Sequence, residues 1–162
     1  MYNRILVPLD GSELAECVLP HVETILNGCG VSEIVLLRVV EPASLPAGVW
    51  TDGMEVFTED NAKTVRENLD AKDEKEAAGY LSGIAGRFKP KGIKIQEVVL
   101  KGKPADELID YVKESDADLL VIASHGRSGI SRWIYGSVAE RLLRSVCIPL
   151  LMVRAPGCEF DI

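Results

Sequence analysis

The chain has 162 residues, the length of one ordinary domain, and 47% of them are apolar, enough to bury a sizeable core. Its 18 basic and 25 acidic residues leave a net charge of −7, which argues against nucleic acid as the main partner, since that partner calls for a basic footprint. No apolar run approaches the ~20 residues of a membrane span, and a strand pattern starts at Tyr2, so no membrane segment and no targeting leader are expected and the protein is placed in the cytoplasm.

Residues 2–9, YNRILVPL, are a short apolar run of the kind found in a buried strand. Asp10-Gly11-Ser12-Glu13 follows as a turn and helix start, with Asp10 or Ser12 as N-cap and Glu13 placed as in a capping box. Cys17, Val18, His21, Val22, Ile25 and Leu26 then recur at helical spacing, and the glycines at 28 and 30 end that helix. Residues 32–41 form a second buried strand, and 42–60, with two prolines, two glycines and no period, a long loop. A long helix is predicted over 61–89, with Val65, Leu69, Ala77, Leu81, Ile84 and Phe88 on one inward face and the polar KDEKE stretch projecting into water. A third strand spans 92–100, a turn and helix 102–115, a fourth strand 117–123, a fourth helix 138–145 and a fifth strand 149–153. The domain closes near residue 155 and 156–162 is a polar tail. None of the four cysteines, Cys17, Cys29, Cys147 and Cys158, has C-x-x-C spacing, so free thiols are expected, with Cys17 and Cys147 as small core residues, and no metal site.

Apolar strands alternating with crossover helices predict an α/β fold, a doubly wound parallel sheet with helices on both faces. Ligands of such sheets bind at the carboxyl ends of the strands, beside the switch in strand order. That edge gathers Pro8, Leu9 and Asp10 from the first strand, Val39 to Glu41 from the second, Lys101 to Lys103 from the third and Ala123 to Gly126 from the fourth. The chemistry there suits a nucleotide. Gly136-Ser137 opens a helix, whose first N–H groups and partial positive charge attract phosphate. Gly126 and Gly129 allow backbone N–H groups to approach an anion, Arg127 and Arg132 carry neutralising charge, and Asp10 accepts hydrogen bonds from a ribose or an adenine amine. A purely structural reading of the same residues stays open. Ser137 to Glu140 also spells a capping box, Asp10 also caps a helix, and Gly126 and Gly129 also close a loop. The P-loop pattern, G-x-G-x-x-G and G-x-S-x-G are all absent, and the histidines are only His21 and His125. No catalytic residue is assigned.

The stretches RILVPLDGSELAE, VLLRVVEP, GKPADELIDYVKESDADLLVIAS and ASHGRSGISRWIYGSVAERLLRSVCIPLLMVR resemble the universal stress protein family along nearly the whole chain. The resemblance implies a sheet in the order 3-2-1-4-5, a homodimer and, in one subclass, an ATP site marked by G-x-x-G-x(9)-G-[ST]. Gly126, the nine residues after it and Gly136-Ser137 fit that pattern, while Ala123 replaces its first glycine, adding a methyl where ribose would pass. By position, adenine and ribose contacts fall on Pro8, Leu9, Asp10, Val39, Ile122 and Ala123, and phosphate contacts on Gly126, Arg127, Gly129, Gly136, Ser137 and Val138. The resemblance thus implies an ATP-dependent regulatory switch with Mg2+ carried by the nucleotide. Alternatives are a slow ATPase or self-phosphorylating enzyme, or a dimerisation module for AMP, cyclic AMP or no nucleotide. The apolar strand 149–153, with no charge until Arg154, is the expected dimer edge, and a further protein partner is left open.

Overall fold

The computed structural model describes residues 2–44, 50–51, 54–55, 59–88, 92–124 and 136–154. In chain order the elements are β1 (Arg4–Pro8), a 3-10 turn at Ala15–Val18, α1 (Leu19–Gly28), β2 (Glu33–Val40), β3 (Trp50–Thr51), β4 (Met54–Glu55), α2 (Glu59–Arg87), β5 (Lys94–Lys101), α3 (Pro104–Glu114), β6 (Leu119–Ala123), α4 (Ser137–Ser145) and β7 (Leu150–Val153). The five long strands form one sheet in the order β5-β2-β1-β6-β7, every neighbouring pair parallel. This is the expected doubly wound architecture and the expected order, counting only those strands. The segment read as a long loop also holds the antiparallel pair of β3 and β4. Strands of two residues offer no alternation for a sequence reading to detect.

Strand pleating divides the core into two clusters. Ile5, Val7, Ile34, Leu36, Leu119, Val121 and Ala123 face one way, onto Val22 and Leu26 of α1 and Leu81 and Ile84 of α2. Leu6, Val35, Leu37, Leu120 and Ile122 face the other way, onto Leu108, Ile109 and Val112 of α3 and Ala139 and Leu142 of α4. The central strands are buried on both sides, which is why their sequences are continuous apolar runs rather than alternating ones.

Three local expectations are corrected. The first helix does not start at Asp10 or Ser12. Chain after the turn winds as 3-10, and α1 begins at Leu19 so that Pro20, which lacks an N–H, falls in its first turn. In α2, Ala77, Leu81, Ile84 and Phe88 are buried as predicted, but Val65 and Leu69 are exposed, and Ala62 and Asp70 take the inward positions. At about 100° per residue Asp70 lies ~20° from the direction of Ala77 and Leu69 ~80° from it. Cys17 is half-buried against the core, but Cys147, in the link between α4 and β7, is exposed.

At the amino ends of the strands, Arg4, Glu33 and Lys94 stand in register across β1, β2 and β5. Glu33 pairs with Arg4 at 3.4 Å and Lys94 at 2.8 Å, and Arg4 also donates to Gln96 at 3.2 Å. The Asp118 carboxylate, just before β6, accepts the N–H groups of Asn3 (2.7 Å) and Arg4 (3.2 Å), closing that end of the sheet.

Candidate functional site

At the opposite end, where β1 and β6 diverge toward the two halves of the sheet, lies a cavity of about 290 Å³. This is the switch point of a doubly wound sheet, and the volume is near the lower end for small-molecule sites. One wall is the exit of β1: Pro8, Leu9, Asp10 and, from the following turn, Ala15. Leu37, Val39 and Glu41 come from β2 and its continuation, and Pro104 and Leu108 from α3. Ile122, Ala123 and Ser124 at the end of β6, and Gly136, Ser137, Val138 and Ala139 at the start of α4, complete it.

A backbone clasp sets up the α4 wall. Ser124 N–H donates to the carbonyl of Val153 at 2.7 Å, and the Ser124 carbonyl accepts the N–H of Gly136 at 2.8 Å. The chain therefore leaves β6 at Ser124, returns to the same place at Gly136 and turns directly into a helix. The helix start is not closed by a capping box. Gly136 itself is the N-cap, so Ser137 is already helical, and Glu140 turns its carboxylate to Arg144 at 2.8 Å. The first N–H groups of α4 have no intrahelical acceptors, and they adjoin the cavity at the positive end of the helix.

Asp10 has two jobs within one turn. Its Oδ1 accepts the Ser12 N–H at 2.9 Å and the Ser12 hydroxyl at 2.6 Å, while Ser12 Oγ accepts the Ala15 N–H at 3.1 Å. Asp10 is also among the residues that line the cavity. Gly11 makes the turn with a φ of +86°, in the left-handed region that favours glycine, and the Arg38 guanidinium packs where a Cβ would stand. Arg38 lies over the ring of Tyr80 at 5.0 Å, whose hydroxyl donates to Glu16 at 3.3 Å, so α2 braces this turn from the other face. Burial, then the charge of Glu16, pushes the Tyr80 phenol well up.

The structure brings Pro8, Leu9, Asp10, Val39, Ile122, Ala123, Gly136, Ser137 and Val138 to one cavity. Gly126, Arg127 and Gly129, with His125 and Arg132, lie outside the described residues. Ala123, which stands where the family pattern has its first glycine, belongs to the core cluster on the α1–α2 face and also lines the cavity, as do Leu9 and Ala15 of the same cluster. The third-strand expectation is corrected: none of Lys101, Gly102 and Lys103 lines the cavity. Lys101 instead pairs with Asp70 at 2.8 Å and Glu74 at 3.2 Å on α2, because β5 is the sheet edge and lies one strand beyond β2. Pro104 and Leu108 take the wall in their place, and Ala15, Leu37, Glu41, Ser124 and Ala139 were not singled out as contacts either. Glu41 and Ser124 are placed at this edge by the strand-end argument from sequence, without a nucleotide contact being assigned to either. Among the described residues no three His, Cys, Asp or Glu side chains are grouped to hold a metal, and no helix is long and apolar enough to cross a membrane.

Comparison with known proteins follows the same outline. The model of the universal stress protein family matches residues 1–154. Universal stress protein MJ0577 of Methanocaldococcus jannaschii is 26% identical over 95% of this chain and 96% of its own, and its solved structure superposes with a TM-score of 0.77 over 97% and 99% of the two chains. A universal stress protein solved in complex with cAMP shares 22% identity, covering 94% of this chain and 98% of that one, with a TM-score of 0.61. An Arabidopsis thaliana family member with AMP bound shares 17% identity over 96% and 93%, with a TM-score of 0.60.

Proposed function

The chain belongs to the universal stress protein family, and on that premise we propose that it binds an adenine nucleotide, ATP with its Mg2+, and acts as a regulatory switch rather than an enzyme. The observation that carries this reading is the meeting, in one cavity, of Asp10 from the β1 turn with the uncapped start of α4. The apolar walls from Leu37, Val39, Leu108 and Ile122 suit a nucleoside, with Asp10 accepting from its ribose or exocyclic amine. The phosphates then lie against the N–H groups of Ser137 and Val138. The motif residues Gly126, Arg127 and Gly129 extend that cradle in this proposal. With no described metal-ligand group, Mg2+ enters with the triphosphate. Turnover is expected to be negligible because the sequence lacks the P-loop lysine. A cytoplasmic location accords with this role.

A second reading, AMP or cyclic AMP as the ligand, is favoured by the relatives solved with those nucleotides. Two measurements decide. Denaturing the purified protein and chromatographing what is released identifies any nucleotide it carries. Titration calorimetry with MgATP, AMP and cyclic AMP then ranks them: MgATP tightest is expected, a tighter monophosphate transfers the assignment to it, and no binding refutes the site. The switch reading also fails if phosphate release approaches the ~10 per second of a median enzyme.

The same proposal includes a homodimer through β7. This strand is a sheet edge, and Leu151, in its middle, is 36% exposed. Two such edges meeting across a two-fold axis form a closed contact. Leu151→Lys would bury an unpaired charge there, so it is expected to sediment as a monomer while the wild type sediments as a dimer. Equal dimerisation of the two would remove β7 from the interface.

A further inference from the structure

Asp70 is one of two buried polar residues among those described, and no motif points to it. It sits in the long helix α2, on the sheet face away from α3 and α4. Its carboxylate joins three elements. Oδ1 accepts the N–H of Ala43 at 2.8 Å, and Oδ2 pairs at 2.8 Å with Lys101 at the end of β5, whose Nζ also reaches Glu74 at 3.2 Å. The Ala43 N–H first, and then Lys101, hold the Asp70 carboxyl below the ordinary carboxylate range.

Ala43 lies in the stretch through which β2 enters the cavity rim. Val39 and Glu41 line the cavity. The strand ends at Val40, opposite Lys101, and residues 41–44 just beyond it lie in no strand. Freed from the sheet, residues 41–44 need another acceptor to fix their path. A charge-assisted hydrogen bond to a buried carboxylate is a strong and directional one. We infer that Asp70 is a positioning residue of the cavity, acting through the Ala43 N–H to hold the 41–43 segment and the rim carboxylate of Glu41 in place. α2 thereby becomes a support of the ligand site as well as a layer of the core. This inference rests on the cavity being the nucleotide site proposed above.

The test compares Asp70→Leu, of similar volume but without an acceptor, with Asp70→Asn, which retains an acceptor oxygen and loses the charge. Lys101 keeps Glu74 as a partner in both. In the ligand-free proteins, exchange of the Ala43 amide is expected to quicken in D70L and to change little in D70N. In MgATP titrations D70L is expected to bind roughly 5-fold or more weakly, and D70N within about 2-fold of wild type. A purely structural role predicts a different pattern, with thermal stability falling in both variants and the affinity of the folded protein unchanged. That pattern, or unchanged exchange in D70L, overturns the inference. If D70L does not fold, Asp70→Ala takes its place under the same criteria. Wild-type protein that binds none of MgATP, AMP and cyclic AMP overturns the functional reading itself, whereas the exchange comparison judges the Asp70 contact independently of any ligand.

Discussion

The two ends of the sheet are built from the same strands and treat their polar groups in opposite ways. At the amino end, charges and N–H groups are spent on one another: Arg4, Glu33 and Lys94 form a cross-strand ladder, and Asp118 takes two backbone N–H groups from the entry to β1. At the carboxyl end, α4 starts without a side-chain cap, and the exits of β1, β2 and β6 separate around a cavity. A polar group satisfied within the protein contributes to stability, and one left facing a cavity is available to a ligand. Substitutions at the amino end should therefore alter folding and leave binding alone, and substitutions at the carboxyl end the reverse.

The strongest attempt to break that contrast is Gly136→Val. The φ of −52° at Gly136 is one any residue adopts, and valine is a poorer N-cap than glycine, so the fold should lose about 1 kcal/mol. The added side chain would stand where the proposed phosphates approach the α4 N–H groups, and on that proposal MgATP affinity by calorimetry should fall roughly 100-fold, about 2.7 kcal/mol. Equal affinity would remove α4 from the site. The reciprocal change is Glu33→Ala. It strips the counter-charge from Arg4, whose side chain is only 23% exposed, and should cost about 1–3 kcal/mol in urea unfolding with affinity unchanged. The Lys94 pair adds little to that figure because Lys94 is 71% exposed.

Asp10→Ala sharpens the contrast, because Asp10 holds its own turn and also lines the cavity. Affinity should weaken roughly 2- to 13-fold and stability fall by about 1 kcal/mol. Stability loss without affinity loss would make it a turn residue only. The smallest effect is acid sensitivity at Asp70. Its carboxyl is held below the ordinary value of 3.8, so its contribution is fully present above that value and is lost as pH falls through the folded-state pKa. Urea midpoints followed downward from pH 5 should decline less steeply in D70N than in wild type. Parallel curves would show that the charge on Asp70 has no part in acid stability.

Much of this fold was legible because its signals are local. Continuous apolar runs such as residues 32–41, joined by helical spacings, specify buried parallel strands, and Gly136-Ser137 marks a helix start whatever lies around it. Nine of the contact residues named from sequence meet at the cavity: six lie at strand ends, which share one edge in a doubly wound sheet, and Gly136, Ser137 and Val138 open α4. Other features depend on partners far along the chain. Val65 and Leu69 look inward until the phase of α2 is set by Ala77 and Leu81, which turns Asp70 inward instead. Lys101 looks like a rim cation until the edge position of β5 delivers it to Asp70 and Glu74.

The sequence alone determined the types of the longer elements, the parallel sheet, the family likeness and the strand ends where a ligand is expected. Only the tertiary structure decided that Pro104 and Leu108 form the facing wall, that Ala123 joins the core cluster and that Asp70 grips Ala43. The reason is geometric. Period and turn chemistry are set by residues a few positions apart, but a side chain's partner depends on helix phase and strand stagger added up over every intervening crossover. A phase difference of one residue, ~100° on a helix, exchanges a buried contact for solvent.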